Sequence, residues 1–291
     1  MAEDTSPTDD LSIELSGPKI LLQGDSGAGK TRAFGPLVDW AARQSPPYEV
    51  FILFTEPGLE TVLGYWRDRG LPVPKNLHWH VVPTATLNLK SLTDAAHKVG
   101  LLTYLSLTTI VDPDRGTNNP AYKILTALAD FPDDRTKKKF GNIGLWGADK
   151  IFGIDSLSEL ANAYEKMTVG NKPVMAQNEY GMAQNNLLNF LRFITGTGSK
   201  FTLVMTAHLQ KQVNELTGST TLMTKAIGKA ISDDIPKLFS EVIYCYREGL
   251  EWFWDTSAPN VVTKTRYLPI KSKITPDLGM IMDKWLTRGA L

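Results

Sequence analysis

Short apolar runs separated by amphipathic stretches set the frame of this chain. Ile20-Leu21-Leu22 is the first run, and the pattern predicts a strand over 18–23 and a helix over 30–43. Pro46-Pro47 then breaks the chain. The segment Glu49-Val50-Phe51-Ile52-Leu53-Phe54-Thr55 is dense enough in apolar residues for a buried parallel strand. A helix over 58–69, closed by Gly70, and a short strand over 77–82 follow. This β-α-β-α-β order predicts a parallel sheet with right-handed crossovers.

Helical periodicity returns over 89–108 and 119–130, on either side of a turn at 112–116, and a charged loop covers 133–139. A fourth strand is expected over 150–155, a helix over 158–167 and a longer helix over 178–194. Leu187, Leu188, Leu191 and Ile194 share one side of that longer helix. Another buried strand spans 201–206. Residues 210–231 lack a clean period and read as a long polar flexible loop, a kind of segment that is often functional. Short strands are expected over 242–246, 251–254 and 261–266, with hairpin turns at Glu248-Gly249 and at 257–260. The rest is irregular apart from a short helix near 280–286. The expected division is a flexible acidic tail over 1–16, one domain over 17–275 with a helical insertion around 89–149, and an extension over 276–291.

Composition narrows the classes. The 291 residues are 42% hydrophobic, enough for one large core. Basic and acidic residues number 31 each, so net charge makes no global case for a nucleic-acid partner and leaves local patches open. Cys245 is the single cysteine, which excludes an intrachain disulfide and suits a reducing compartment. No window reads as an 18-residue apolar span or a signal peptide, so the expectation is a soluble cytoplasmic protein without a membrane partner.

The candidate chemistry centres on Gly24-Asp25-Ser26-Gly27-Ala28-Gly29-Lys30-Thr31, followed by Arg32. It lies between a predicted strand and a predicted helix, the context that the G-x-x-x-x-G-K-[ST] phosphate loop requires. Its glycines let backbone N–H groups converge on an anion at a helix N-terminus. Lys30 can reach the β- and γ-phosphates, and the Thr31 hydroxyl can ligate Mg²⁺. Asp155 ends an apolar strand and fits the carboxylate on the magnesium side. Asp149, before that strand, ranks lower, and Ser156 and Ser158 can orient Asp155 or cap the next helix. Glu56 ends the strand after the phosphate-loop helix, where ligands of a parallel sheet bind, and can polarise water. Glu60 and Glu159 are the fallback carboxylates. His208, just after the 201–206 strand, is placed to sense a γ-phosphate. His78, His80 and His97 have no metal-ligand spacing, so no zinc site is expected.

With these motifs the chain resembles the RecA-like phosphate-loop ATPases of bacteriophages, in particular small core-only recombinase relatives that assist single-strand annealing. The stretches that carry the resemblance are Gly24 to Thr31, Phe54-Thr55-Glu56-Pro57-Gly58, Ile154-Asp155-Ser156-Leu157-Ser158 and Thr206-Ala207-His208. It implies an α/β fold: a RecA-like P-loop NTPase core with a mostly parallel central sheet flanked by helices and C-terminal β-hairpin strands. It also implies ATP and Mg²⁺ as cofactors, Glu56 as the water-activating base, Asp155 beside the metal and His208 as sensor. A DNA-facing loop would follow His208, with Lys211, Lys225 and Lys229 as nucleic-acid candidates. Lys264 and Arg266 would reach a neighbouring subunit's site. Implied partners are further copies of the chain in a ring or filament, single-stranded DNA, and a phage annealing or single-strand-binding protein. Two departures stand out: the 89–149 segment is longer than a minimal core needs, and 210–231 has no aromatic residue for base stacking. The competing readings are a phage DNA-packaging or other ring-forming motor ATPase and a non-catalytic nucleotide-dependent structural module. No Asn-Lys-x-Asp guanine element, arginine-rich lid or Ser-Gly-rich ABC signature is present.

Overall fold

The computed structural model describes residues 16–82, 93, 97, 119–169, 175–213 and 218–289. The expected acidic tail and the 89–108 helix therefore lie almost wholly outside the described residues. In chain order the strands and helices are β1 (Lys19–Gly24), α1 (Phe34–Ala42), β2 (Glu49–Phe54), α2 (Leu59–Arg67), β3 (Leu77–Val81) and α3 (Pro120–Ala129). Then come β4 (Lys150–Asp155), α4 (Leu157–Val169), α5 (Gln177–Thr195), β5 (Thr202–Ala207), β6 (Leu209–Val213) and β7 (Thr220–Thr224). The chain closes with α6 (Gly228–Asp234), β8 (Glu241–Glu248), β9 (Glu251–Asp255) and α7 (Gly279–Gly289).

Among the described residues, seven strands form one sheet in the order β3-β2-β4-β5-β1-β8-β9. All neighbours are parallel except β8 and β9, which form an antiparallel hairpin at the edge. This is an α/β architecture, a mostly parallel sheet flanked by helices with C-terminal antiparallel strands, as the sequence pattern predicts. Strand β5 separates β1 from β4, so the loop after β1 faces the end of β4 across one strand.

The central strands are buried on both faces, which explains why they read as continuous apolar runs. Successive side chains still alternate. Leu21, Phe51, Leu53, Phe152, Ile154, Leu203 and Met205 face the layer containing α3, α4, α5 and α6. Ile20, Leu22, Val50, Ile52, Ile151, Val204 and Ile243 face α1, α2 and α7. Each such side chain contributes about 1.5–3 kcal/mol when fully buried, so the sheet is a rigid base for whatever its carboxyl edge holds.

Two expectations change. Within 210–231, where a loop is expected, the described residues include β6 and β7, which pair antiparallel as a separate two-stranded sheet, and α6 follows. Their exposed Thr, Gln and Lys side chains hide the strand period, and backbone pairing supplies what burial does not. Residues 261–266 are not a strand: they touch their neighbours only through isolated bridges, Val261 with Leu222 and Lys264 with Val242. The segment takes over from β9 beside the first residues of β8, because β9 pairs only from Tyr244 onward. Within the segment expected as a helical insertion, helix α3 joins the core under the sheet through Ile124 and Leu128. Its start is encoded locally: the Asn119 side chain accepts from the Ala121 N–H, and Pro120 needs no donor there. The short helix expected near 280–286 is α7, and its Ile281, Met282 and Trp285 are buried against the opposite face. The 133–139 loop is sewn to the β3 edge: Asp133 accepts from the Trp79 backbone N–H and lies 3.1 Å from His78 Nδ1, while Lys137, Lys138 and Lys139 stay exposed.

Candidate active site at the carboxyl edge of the sheet

The loop after β1 turns sharply and leads through a short 3-10 turn into α1. Gly29 sits at φ +81°, in the left-handed region that glycine favours, and an added Cβ would stand 2.7 Å from the Trp252 ring. Lys30 is buried, and its Nζ donates to the carbonyls of Gly24 and Asp25, each at 2.8 Å. An ammonium has three N–H bonds, so one remains for a ligand. Burial pushes the Lys30 pKa below its ordinary value, and the nearby carboxylates Asp155, Glu56 and Asp25 oppose that shift.

Asp155, at the end of β4, is fully buried. Its Oδ2 accepts from Thr31 Oγ1 at 2.9 Å, and its Oδ1 accepts from Thr206 Oγ1 at the end of β5. Burial raises the Asp155 pKa, with the Glu56 charge adding to the rise, while the hydroxyl donors restrain it. Thr55 crosses to the same strand end: its N–H donates to the Asp155 carbonyl at 2.8 Å, and its hydroxyl donates to the Ser156 carbonyl at 3.1 Å. Backbone must approach this carboxylate closely. A Cβ on Gly58 would lie 2.2 Å from Asp155 Oδ2, so the residue after Pro57 has no room for a side chain.

Glu56 leaves the end of β2 beside them. Its Oε2 is 3.3 Å from His208 Nε2. That hydrogen bond is the largest influence on Glu56 and holds its carboxyl below the usual carboxylate range, against partial burial. The His208 backbone N–H donates to Ser158 Oγ at 3.0 Å, and Ser158 Oγ donates to the Lys225 carbonyl at 3.2 Å. Lys225 in turn donates its N–H to the His208 carbonyl at 2.8 Å. The end of β5 is thus tied to the base of the β6–β7 hairpin. Ser156 caps α4, its Oγ accepting from the Glu159 N–H.

A cavity of about 420 Å³ opens among these groups, lined by the loop residues Ser26 to Arg32 and by Glu56, Gly58, Thr61, His208 and Trp252. The structure therefore gathers Lys30, Thr31, Glu56, Asp155 and His208 at one edge. The oxygen donors Thr31 and Asp155 fit a hard cation such as Mg²⁺, which keeps several waters and shares its shell with phosphate. Among the described residues no group of three or more His, Cys, Asp or Glu side chains could hold a metal alone.

Other candidates lie apart. Asp149 pairs with Lys150 before β4, at the opposite edge. Glu60 is exposed and pairs with Arg67 at 2.7 Å. Glu159 accepts from Asn162. Lys211, Lys225 and Lys229 are exposed on or near the hairpin. Lys264 donates from Nζ to the Phe239 carbonyl at 2.7 Å, just before β8 begins. The Arg266 N–H donates to Glu241, the first residue of β8, at 2.7 Å. Both residues thus sit at the sheet edge remote from Lys30, and a role at a phosphate loop would require a second copy. Cys245 is buried beside Gly24, and burial pushes its thiol up to about 12, so it is an inert core residue.

Thr206 and Trp252 were missed from sequence. Thr206 is one of several threonines at strand ends, and only the β4–β5 pairing sets it against Asp155. Trp252 lies 223 positions beyond Gly29 and showed only as a strand residue; here its Nε1 donates to the Gly27 carbonyl at 3.0 Å.

No protein-family model matches the chain, and no curated protein does. No helix among the described residues is long and apolar enough to cross a membrane. Similar solved structures include a prototypical ATPase from the type III secretion system of pathogenic bacteria, at 14% identity and a TM-score of 0.40, covering 80% of this chain and 52% of that one. Another is the assembled ATPase EscN, in complex with its central stalk EscO, from the type III secretion system of enteropathogenic E. coli. It is 13% identical with a TM-score of 0.39, covering 87% of this chain and 47% of that one. The chain thus spans about half the length of these proteins.

Proposed function

We propose that the chain binds a nucleoside triphosphate with Mg²⁺, ATP by preference, and hydrolyses it. The observation that carries this is the convergence of Lys30, Thr31, Glu56 and His208 on one cavity at the carboxyl edge of a parallel sheet, with the buried Asp155 hydrogen-bonded to Thr31 behind it. The loop N–H groups and Lys30 would hold the β- and γ-phosphates. Mg²⁺, held by Thr31 and by Asp155 through water, would neutralise charge as the terminal bond breaks. Glu56, ionised at neutral pH, would orient a water and take its proton, and His208 would fix the Glu56 carboxylate. Lys30→Ala should weaken Mg·ATP binding by about 10–100-fold, the worth of a charge-assisted contact. Equal affinity of the two proteins in calorimetry would end the assignment.

A finer reading couples turnover to single-stranded DNA, in recombination or annealing. Its support is the chain of contacts from Glu56 through His208 and Ser158 to Lys225, which links the cavity to a hairpin carrying Lys211. Three lysine–phosphate contacts would make log affinity fall with log salt at a slope of about −2. Fluorescence anisotropy of a labelled oligonucleotide should show this slope, with binding strengthened by a non-hydrolysable ATP analogue. Absence of binding at low salt with the analogue present would remove DNA from the function and leave the nucleotide site untouched.

A further inference from the structure

The glycine-rich loop has a second connection to the β6–β7 hairpin, and it runs through Gln23. This residue comes just before Gly24, whose carbonyl holds Lys30 Nζ. Its side chain is buried, 1% exposed, and both ends of the amide are engaged. Oε1 accepts from Thr224 Oγ1 at 2.8 Å, and Nε2 donates to the Val262 carbonyl at 2.5 Å. A carbonyl can only accept, so Val262 fixes which end of the amide faces it. Thr224 ends β7 and is itself buried. The two segments that Gln23 holds also touch each other. Leu222 of β7 donates its N–H to the Asn260 carbonyl at 2.7 Å and bridges Val261. Hairpin and 260–264 segment therefore make one body with two roots on the sheet. Its neighbouring residues Thr224 and Lys225 hold the ends of neighbouring strands, β1 at Gln23 and β5 at His208.

Resting on the triphosphate reading for what occupies the loop, we propose that Gln23 is a positioning residue: its amide locks the hairpin and the 260–264 segment to the root of the loop, so that both respond together when the loop is filled. The route through Glu56 and His208 reaches only the hairpin. The amide reaches the hairpin without either residue and takes Lys264 with it, since that residue pairs with Val242 at the end of the held segment. The side-chain chemistry is specific. A glutamate here would set a carboxylate against the Val262 carbonyl, and a methionine would leave both partners unpaired.

Amide hydrogen exchange of the full chain, with and without Mg²⁺ and a non-hydrolysable ATP analogue, tests this. In the wild type the analogue should slow exchange at the Leu222 and Lys264 N–H groups together, by about 5–150-fold, the range of coupling between two sites. Gln23→Met should bind the analogue as the wild type does in calorimetry and lose most of that slowing at both amides. Thr224→Val removes the hairpin contact alone with little change of shape, and should lose the slowing at Leu222; it keeps the test sound should Gln23→Met fold poorly. Gln23→Glu separates positioning from packing. Its ionised carboxylate repels the Val262 carbonyl, and its protonated form restores a donor there. The slowing at Lys264 should therefore be absent at roughly pH 8 and return as pH is lowered, earlier than for an exposed carboxyl because burial raises the pKa, with no such dependence in the wild type. A Gln23→Met protein whose two amides still respond would overturn the proposal. So would a wild type that binds the analogue with neither amide responding, or a Gln23→Glu protein with no recovery at low pH. Each of these leaves the phosphate site standing. Failure of the analogue to bind the wild type would instead refute the triphosphate reading, and this proposal with it.

Discussion

Glu56→Gln is expected to bind Mg·ATP with near wild-type affinity and to turn it over at least about 100-fold more slowly, in the range of a positioned general base. The amide keeps the size of the side chain and can still meet His208 Nε2, 3.3 Å away, but it cannot accept a proton from water. Calorimetry and single-turnover hydrolysis on the same preparation separate the two effects. Unchanged turnover at saturating ATP would remove Glu56 from the chemistry. Because the His208 bond holds the Glu56 pKa below 4.5, the base form persists across neutral pH. The wild-type rate should therefore show no loss assignable to Glu56 until the pH falls below about that ordinary value.

Asp155→Asn should abolish the Mg²⁺ dependence of turnover and at the same time leave the metal-free protein as stable as the wild type or more so. The Asp155 carboxylate is fully buried, and burial raises its pKa above the ordinary 3.8. A carboxyl whose native pKa is raised binds its proton more tightly in the folded state. Its contribution to stability is therefore largest at low pH and declines as pH rises from 3.8 through the raised native value. At neutral pH the ion is buried at a cost that the Thr31 and Thr206 hydroxyls only partly offset. Asparagine removes that cost, keeps an acceptor for one hydroxyl and offers an N–H to the oxygen of the other. Each kcal/mol recovered would raise the melting temperature by about 2–4 °C in a domain of this size. The advantage over wild type should shrink as pH is lowered toward 3.8, and saturating Mg·ATP should stabilise the wild type more than the variant. A large loss of stability in Asp155→Asn at neutral pH would show that the charge is compensated where it lies, and Mg²⁺-dependent turnover surviving in the variant would exclude Asp155 from the metal site. Sites that hold an unfavourable group for function commonly trade stability in this way.

The sequence by itself determined the parallel sheet and its helices. Two-sided burial writes β1, β2, β4 and β5 as unbroken apolar runs, and helical periodicity marks α1, α2 and α5. It also determined the glycine-rich turn between β1 and α1, because glycine spacing and the Lys30-Thr31 pair are local chemistry that one strand–helix junction imposes. Glu56, Asp155 and His208 were legible as strand ends for the same reason: in a parallel sheet every carboxyl end points to one edge.

What only the tertiary structure decided are relations between distant segments. That β5 lies between β1 and β4 is a matter of strand order, and this order sets Thr206 against Asp155. The β6–β7 hairpin buries too little apolar surface to leave a pattern, so its pairing appears only in the backbone ladder. Residues 261–266 have the alternation of a strand, but β9 already occupies the later residues of β8, and only single bridges remain available. Trp252 reaches the phosphate loop because β8 pairs with β1 and β9 pairs with β8. No local pattern records that path: the distance along the chain is long, and two sheet pairings between residues remote in sequence close it.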